Sequence, residues 1–238
     1  MKVGLLECDH VRDELLHIAG DYRQMFPALF AKVTGDWQFT FYDVCNGHFP
    51  ELADECDVYL CTGSKSSVYD DDEWIGRLKQ FVGEIYRSGK KYIGICFGHQ
   101  ILAEALGGKV EKSAIGWCVG VHQFHVLVPE PWMDPLSSSF NVLMMCQDQV
   151  LEMPEGSTLL AETPDCPVGM FRVGANMLGI QAHPEFPKPY NKALMELRVE
   201  RIGAQKVEMG IASLELFTDE IVIANWLKNF ANFTTANF

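Results

Sequence analysis

The sequence predicts an α/β protein: an open, mostly parallel twisted sheet flanked by helices, with a mixed or antiparallel β section in its second half. Three observations lead there. The runs DVYL and YIGI, within Asp57–Cys61 and Tyr92–Ile95, are continuous rather than alternating in hydrophobicity, as central parallel strands buried on both faces are. Strand-like and helix-like segments alternate as far as about residue 108, the order that layers helices on both faces of such a sheet. Beyond that point strand-like segments follow one another with turn residues between them, which suits antiparallel pairing.

In order, the chain opens with an apolar strand, Lys2–Glu7, followed by a mostly helical stretch from about Val11 to Ala31 and a strand near Trp37–Tyr42. Asp72–Arg87 carries Trp74, Ile75, Leu78, Phe81, Val82 and Ile85 at helical spacing. Tyr92–Ile95 runs into a glycine-bracketed turn, and Gln100–Leu106 reads as the helix after it. Val119–Val128, Asn141–Cys146, Ser157–Ala161, Val168–Val173 and Met177–Ala182 form the β-rich part. Helices over about Tyr190–Gly210 and Asp219–Phe230 close the chain, and their aromatic and Met content suits core or a homodimer face. With no low-complexity linker and no internal repeat, residues 1–238 read as a single domain.

A chain of 238 residues can bury roughly three-quarters of its unfolded surface, so it needs no disulfide or metal to fold. The net charge of −13 argues against nucleic acid or an anionic membrane surface as the main partner, though a local basic pocket for an anionic ligand stays compatible with it. The eight cysteines show no C-x-x-C pair and no metal-ligand spacing. Several lie in apolar runs, where cysteine behaves as a small buried hydrophobe. The opening MKVGLLECDH lacks the features of a signal peptide and no run reaches membrane-span length, so a cytoplasmic protein is expected.

The chemistry concentrates in three places. Gly94-Ile95-Cys96-Phe97-Gly98-His99-Gln100 follows an apolar strand and precedes a helix. Glycines two residues either side of Cys96 suit a tight strand-to-helix elbow that lifts a strained nucleophile clear of the sheet. There the helix dipole would favour negative charge on sulfur, and the Phe97 N–H would point at a developing oxyanion. Taken alone, the motif fits a core cysteine between turn glycines equally well. Gln181-Ala182-His183-Pro184-Glu185 follows another apolar strand. Residues two apart in extended backbone share a face, so Glu185 can orient His183 as the base that a thiol nucleophile needs; alone, an exposed histidine and a solvated glutamate would read the same. Thr62-Gly63-Ser64 ends a third apolar strand, where Gly63 could offer a second oxyanion N–H; judged alone, the segment fits a plain βα turn better.

Together these motifs, in this order, resemble the class I (triad) glutamine amidotransferases over nearly the whole chain, and in particular the stand-alone members akin to the GMP-synthase glutaminase unit and to γ-glutamyl-peptide hydrolases. The resemblance implies a flavodoxin-like α/β fold with Cys96 as nucleophile, His183 as base and acid, and Glu185 as the orienting acid. Gly63 and Phe97 would supply the oxyanion N–H groups, and Gln100, Gln147 and Asp148 would hold substrate. No cofactor and no metal is implied. The reaction would be cysteine-dependent hydrolysis of a small-molecule γ-glutamyl amide through a thioester. The alternatives are a glutaminase subunit that feeds ammonia to a separate synthase partner, and a binding protein on the same scaffold.

One stretch departs from the family pattern. Many members carry Ser-His-x-Asp before a Val, whereas Met145-Cys146-Gln147-Asp148-Gln149-Val150 puts Cys146 where that histidine stands, which bears on free glutamine as substrate. Cys146 itself suits a strand-end core thiol. His99 reads as a packing or hydrogen-bonding residue. His122 and His125 project to opposite faces of a strand, unsuited to one metal. Asp70, Asp71 and Asp72 suit capping of a helix start better than metal binding.

Overall fold

The structure, a computed structural model, describes residues 1–234. Its strands are β1 (Lys2–Leu6), β2 (Gln38–Tyr42), β3 (Val58–Cys61), β4 (Lys91–Ile95), β5 (Lys109–Lys112), β6 (Cys118–Val126), β7 (Ser139–Cys146), β8 (Asp148–Glu152), β9 (Ser157–Thr163), β10 (Cys166–Val173) and β11 (Met177–Ile180). The helices are α1 (Leu16–Ala19), α2 (Tyr22–Phe30), α3 (Glu73–Ser88), α4 (Phe97–Ala105), α5 (Lys188–Leu197), α6 (Val199–Ile202), α7 (Ala204–Ser213) and α8 (Glu220–Asn232). Nine strands form one sheet in the order β2-β1-β3-β4-β11-β10-β9-β6-β7. The first five pair in parallel and the rest join antiparallel, the mixed α/β sheet expected.

Apolar residues alternate between two cores. Val58 and Leu60 of β3 and Ile93 and Ile95 of β4 pack with Phe26, Phe30, Leu194 and Trp226. Tyr59, Cys61 and Tyr92 pack on the other face with Leu78, Phe81, Ile101 and Leu102. Residues one apart in a strand face opposite sides, so a strand covered on both sides must be apolar throughout, which explains the uninterrupted runs.

The late return of β11 beside β4 positions the site. Ile180 lies opposite Ile95, and Cys61 opposite Gly94. The segments that leave the carboxyl ends of β3, β4 and β11 therefore emerge side by side, where an open parallel sheet places its ligand site.

Four local features differ from expectation. The helical stretch 11–31 is interrupted at Gly20, whose φ of 74° breaks the helix, and α2 restarts on a capping box between Asp21 and Gln24. The helix expected over 190–210 is three helices, with Gly203 at φ 95° between α6 and α7. Strands β5 and β8 form a separate two-stranded ladder; their polar residues on the outer side hide the strand pattern. Asp72 occupies the start of α3 without a side-chain cap, and the Asp70 carboxylate instead accepts the Ser67 N–H at 2.8 Å. Among the described residues no helix is long and apolar enough to cross a membrane.

Candidate active site

Cys96 stands between β4 and α4 at φ 52°, ψ −100°, the one non-glycine residue with positive φ among those described. Such backbone costs about 1–3 kcal/mol and persists only where its surroundings over-determine it. Here they do. The Cys96 N–H donates to the Ile180 carbonyl at 2.9 Å, the Gly98 N–H to the Thr62 carbonyl at 3.2 Å, and the Gln100 N–H to the Cys96 carbonyl at 3.1 Å. A β-carbon on Gly98 would lie 2.5 Å from the Cys61 carbonyl oxygen, and one on Gly94 would collide with the Gly98 carbonyl. The elbow closes only because both positions are bare.

His183 reaches Cys96 from the far side. Its backbone N–H donates to the Leu143 carbonyl at 2.8 Å, tying the segment after β11 to β7. Its Nδ1 donates to Glu185 Oε1 at 2.7 Å, and both side chains are buried. The imidazole lies beside Cys96, with Gly63 packed against both. Burial by itself would push the imidazole toward neutrality, but the charge of Glu185, the proximity of Cys96 and the hydrogen bond to Glu185 raise its pKa to about 10. The pair with Glu185 thus favours the protonated ring. Phe186 lies flat against it, centroids 4.0 Å apart and planes within 6°, and Tyr190 meets Phe186 edge-on at 4.7 Å. These rings fix the imidazole and exclude water from one of its faces.

Residues 52–201 match the family described as "Glutamine amidotransferase class-I". The chain belongs to the class-I glutamine amidotransferases. It is 33% identical to Gamma-glutamyl peptidase 5 of Arabidopsis thaliana over 190 residues, 77% of this chain and 73% of that one. Against Gamma-glutamyl peptidase 3 of the same plant it is 31% identical over 79% of this chain and 76% of the relative. A GMP synthase (glutamine-hydrolyzing) of Aeropyrum pernix matches at 32% over 56% of this chain but only 26% of its own length. In fold, a glutamine amidotransferase structure from Thermotoga maritima superposes with a TM-score of 0.76 at 19% identity, covering 97% of this chain and 99% of that one.

In this amidotransferase the remaining expected site residues gather round the elbow. Neither the Gly63 nor the Phe97 N–H has a hydrogen-bond partner among the described residues. Both are free to donate to an incoming atom. Gln100, Gln147 and Asp148 line the cleft beside Cys96. The Gln100 amide nitrogen donates to the Asp148 carbonyl at 2.7 Å and to Gln181 Oε1 at 3.1 Å, so that end of the side chain holds protein and its carbonyl oxygen is the end left open. The Asp148 carboxylate accepts the Ser67 hydroxyl. Cys146 is buried at the end of β7 opposite Cys118, and the hydrogen bond that it donates to Cys118, together with burial, holds its pKa well above the usual thiol range.

Sequence reasoning missed Gln181 and Phe186. Gln181 donates from Nε2 to Cys96 Sγ at 3.4 Å and is fully buried. A polar residue two before His183 on the strand exit, hence on the same face, was the available signal. Phe186 follows Glu185 directly and carries no polar atom to mark it. His99 is fully buried edge-on to Phe171 at 4.9 Å, a packing residue away from the thiol.

Two groups elsewhere have metal-compatible spacing, His10 with Asp43 and Cys45, and His10 with Glu7 and Asp21. His10 already bonds Asp21 at 2.7 Å and Asp43 at 3.1 Å, and Glu7 pairs with Arg23 at 2.7 Å. Both groups are satisfied by ion pairs.

Proposed function

We propose that this amidotransferase hydrolyses γ-glutamyl peptides through a γ-glutamyl thioester on Cys96. One observation carries the reading: a strained elbow cysteine beside a buried imidazole that is itself oriented by a buried carboxylate. A packing role asks for none of these, since strain and buried charge both destabilise the fold.

Cys96 Sγ attacks the γ-carbonyl carbon, and the N–H groups of Gly63 and Phe97 receive the oxyanion. His183 gives its proton to the departing amine as the C–N bond breaks. The neutral imidazole then takes a proton from water, whose hydroxide attacks the thioester, and glutamate leaves as the C–S bond breaks, with the sulfur again beside a protonated His183. Gln181, held by Gln100, steadies the sulfur, and Glu185 keeps the imidazole in the tautomer that protonates the amine. The γ-glutamyl peptidases among the relatives support a peptide as the amide cleaved.

The test is glutamate release by the purified chain from free glutamine and from a panel of γ-glutamyl peptides and amines, with Cys96→Ala as control. Cys96-dependent release from a γ-glutamyl peptide is expected. A second reading, a glutaminase that feeds ammonia to a separate synthase, is favoured by the GMP synthase match. It predicts release from glutamine that is weak alone and strongly stimulated by the partner.

A further inference from the structure

Two chambers open around Cys96 and His183. The one beside Cys96, of about 80 Å³, holds Gln100 and Asp148; the one beside His183, of about 160 Å³, holds Tyr22 and Tyr190. On the hydrolytic reading just given, the acyl group bonded to sulfur occupies the first. The leaving amine must lie where His183 can protonate it, toward the second.

The cleft reverses the charge of the molecule. In a chain of net charge −13, the chamber beside Cys96 is lined by Lys65, Lys112, Arg198 and Arg201 against the single carboxylate of Asp148. Most of these charges are exposed or engaged. Lys65 pairs with Asp9 at 2.7 Å, Arg201 lies over Trp117 at 5.6 Å, and Lys112 is exposed. Arg198 differs. Its guanidinium makes no hydrogen bond or ion pair among the described residues, it is only partly exposed, and it lines both chambers.

Arg198 is also firmly placed. It forms the joint between α5 and α6, its N–H shared between the carbonyls of Leu194 and Met195 at 3.2 Å each. Burial pushes its pKa down, as does Arg201, against the weaker opposite pull of Tyr22, Tyr190 and Asp9. A desolvated guanidinium without an anion is unfavourable, and a carboxylate that meets its planar fork relieves that penalty with two charge-assisted hydrogen bonds.

We propose that Arg198 binds the terminal carboxylate of the leaving portion of the substrate, so that the chain selects γ-glutamyl peptides with a free C-terminal carboxylate over γ-glutamyl amides and amines that lack one. This rests on the hydrolase reading of Cys96 and names its substrate class. Free glutamine, whose leaving group is ammonia, leaves Arg198 without its anion.

The test compares one γ-glutamyl dipeptide as its free acid and as its C-terminal amide, titrated by calorimetry into the Cys96→Ala protein. The acid is expected to bind about 10- to 100-fold more tightly, the range of a charge-assisted hydrogen bond. Adding Arg198→Gln should bring the ratio close to one, while Arg198→Lys should keep part of it. Equal affinities with Arg198 intact, binding of neither form, or a ratio that survives Arg198→Gln overturns the subsite. The first comparison leaves Arg198 intact, so it does not depend on how that variant folds. Turnover by the wild-type chain reports separately on the reaction. Glutamate release with equal affinities removes the subsite and keeps the hydrolase; an acid–amide difference without release does the reverse.

Discussion

Gly63 lies directly against the edge of the His183 imidazole: a β-carbon built on it would stand 2.8 Å from Cε1 and 3.7 Å from Cys96 Cβ. Its φ lies outside the left-handed region, so alanine is acceptable to the backbone and unacceptable only to the imidazole.

Gly63→Ala should therefore leave the chain folded and displace the ring from the sulfur. A shift near 1 Å in a reacting group lowers turnover by about 100-fold. Glutamate release under saturating substrate is the measurement, with thermal unfolding as the control. A variant with wild-type kcat would mean that the imidazole does not need the position it occupies.

Glu185→Gln tests what holds the charge on His183. The folded value of about 10 exceeds the ordinary 6.5, so the ring binds a proton in the native state that the unfolded chain releases between those limits. By linkage its stabilisation is fully present below about pH 6.5 and is lost as pH rises through 10. Removing the carboxylate should destabilise the protein by on the order of 3 kcal/mol at pH 6.5, and by less at pH 9.5. Urea midpoints at the two pH values measure the difference. An equal loss at both would assign the His183 charge to another source.

His99 gives the opposite sign. Burial pushes its imidazole from 6.5 down to about 4, against the backbone of Gly179 and Val168. Between those values the unfolded state binds more protons than the folded one, so stability falls as pH falls, by about 3 kcal/mol across the window. His99→Leu should flatten the pH dependence of the unfolding midpoint between pH 6.5 and 4. Parallel wild-type and variant curves would show that His99 contributes nothing to acid sensitivity.

Much of this architecture was legible in the chain itself. The runs in β3 and β4 are apolar without a break because each strand is covered on both faces, by the cores around Phe26 and Trp226 and around Leu78 and Phe81. Gly94 and Gly98 announce the elbow because the turn leaves room for nothing larger. Less legible were the breaks at Gly20 and Gly203, where a single left-handed or otherwise non-helical residue ends a helix whose apolar periodicity continues on either side. The ladder of β5 and β8 was hidden for another reason: its buried side is limited to a few residues such as Val110 and Val150.

What the sequence by itself determined is the set of local geometries and reactive groups: a strained thiol at a glycine-flanked turn, and an imidazole two residues from a carboxylate, both set by steric and periodic rules acting over a few residues. What only the tertiary structure decided is which of these meet. The pairing of β11 with β4 brings Cys96 and His183 together across more than eighty residues of chain and puts Gln181 on the sulfur. The joint of α5 and α6 places Arg198 over both chambers, without a hydrogen bond or ion pair to its guanidinium among the described residues. No local pattern encodes either, because the free energy that selects a strand order or strips a guanidinium of water comes from packing between distant segments and exists only once they are packed.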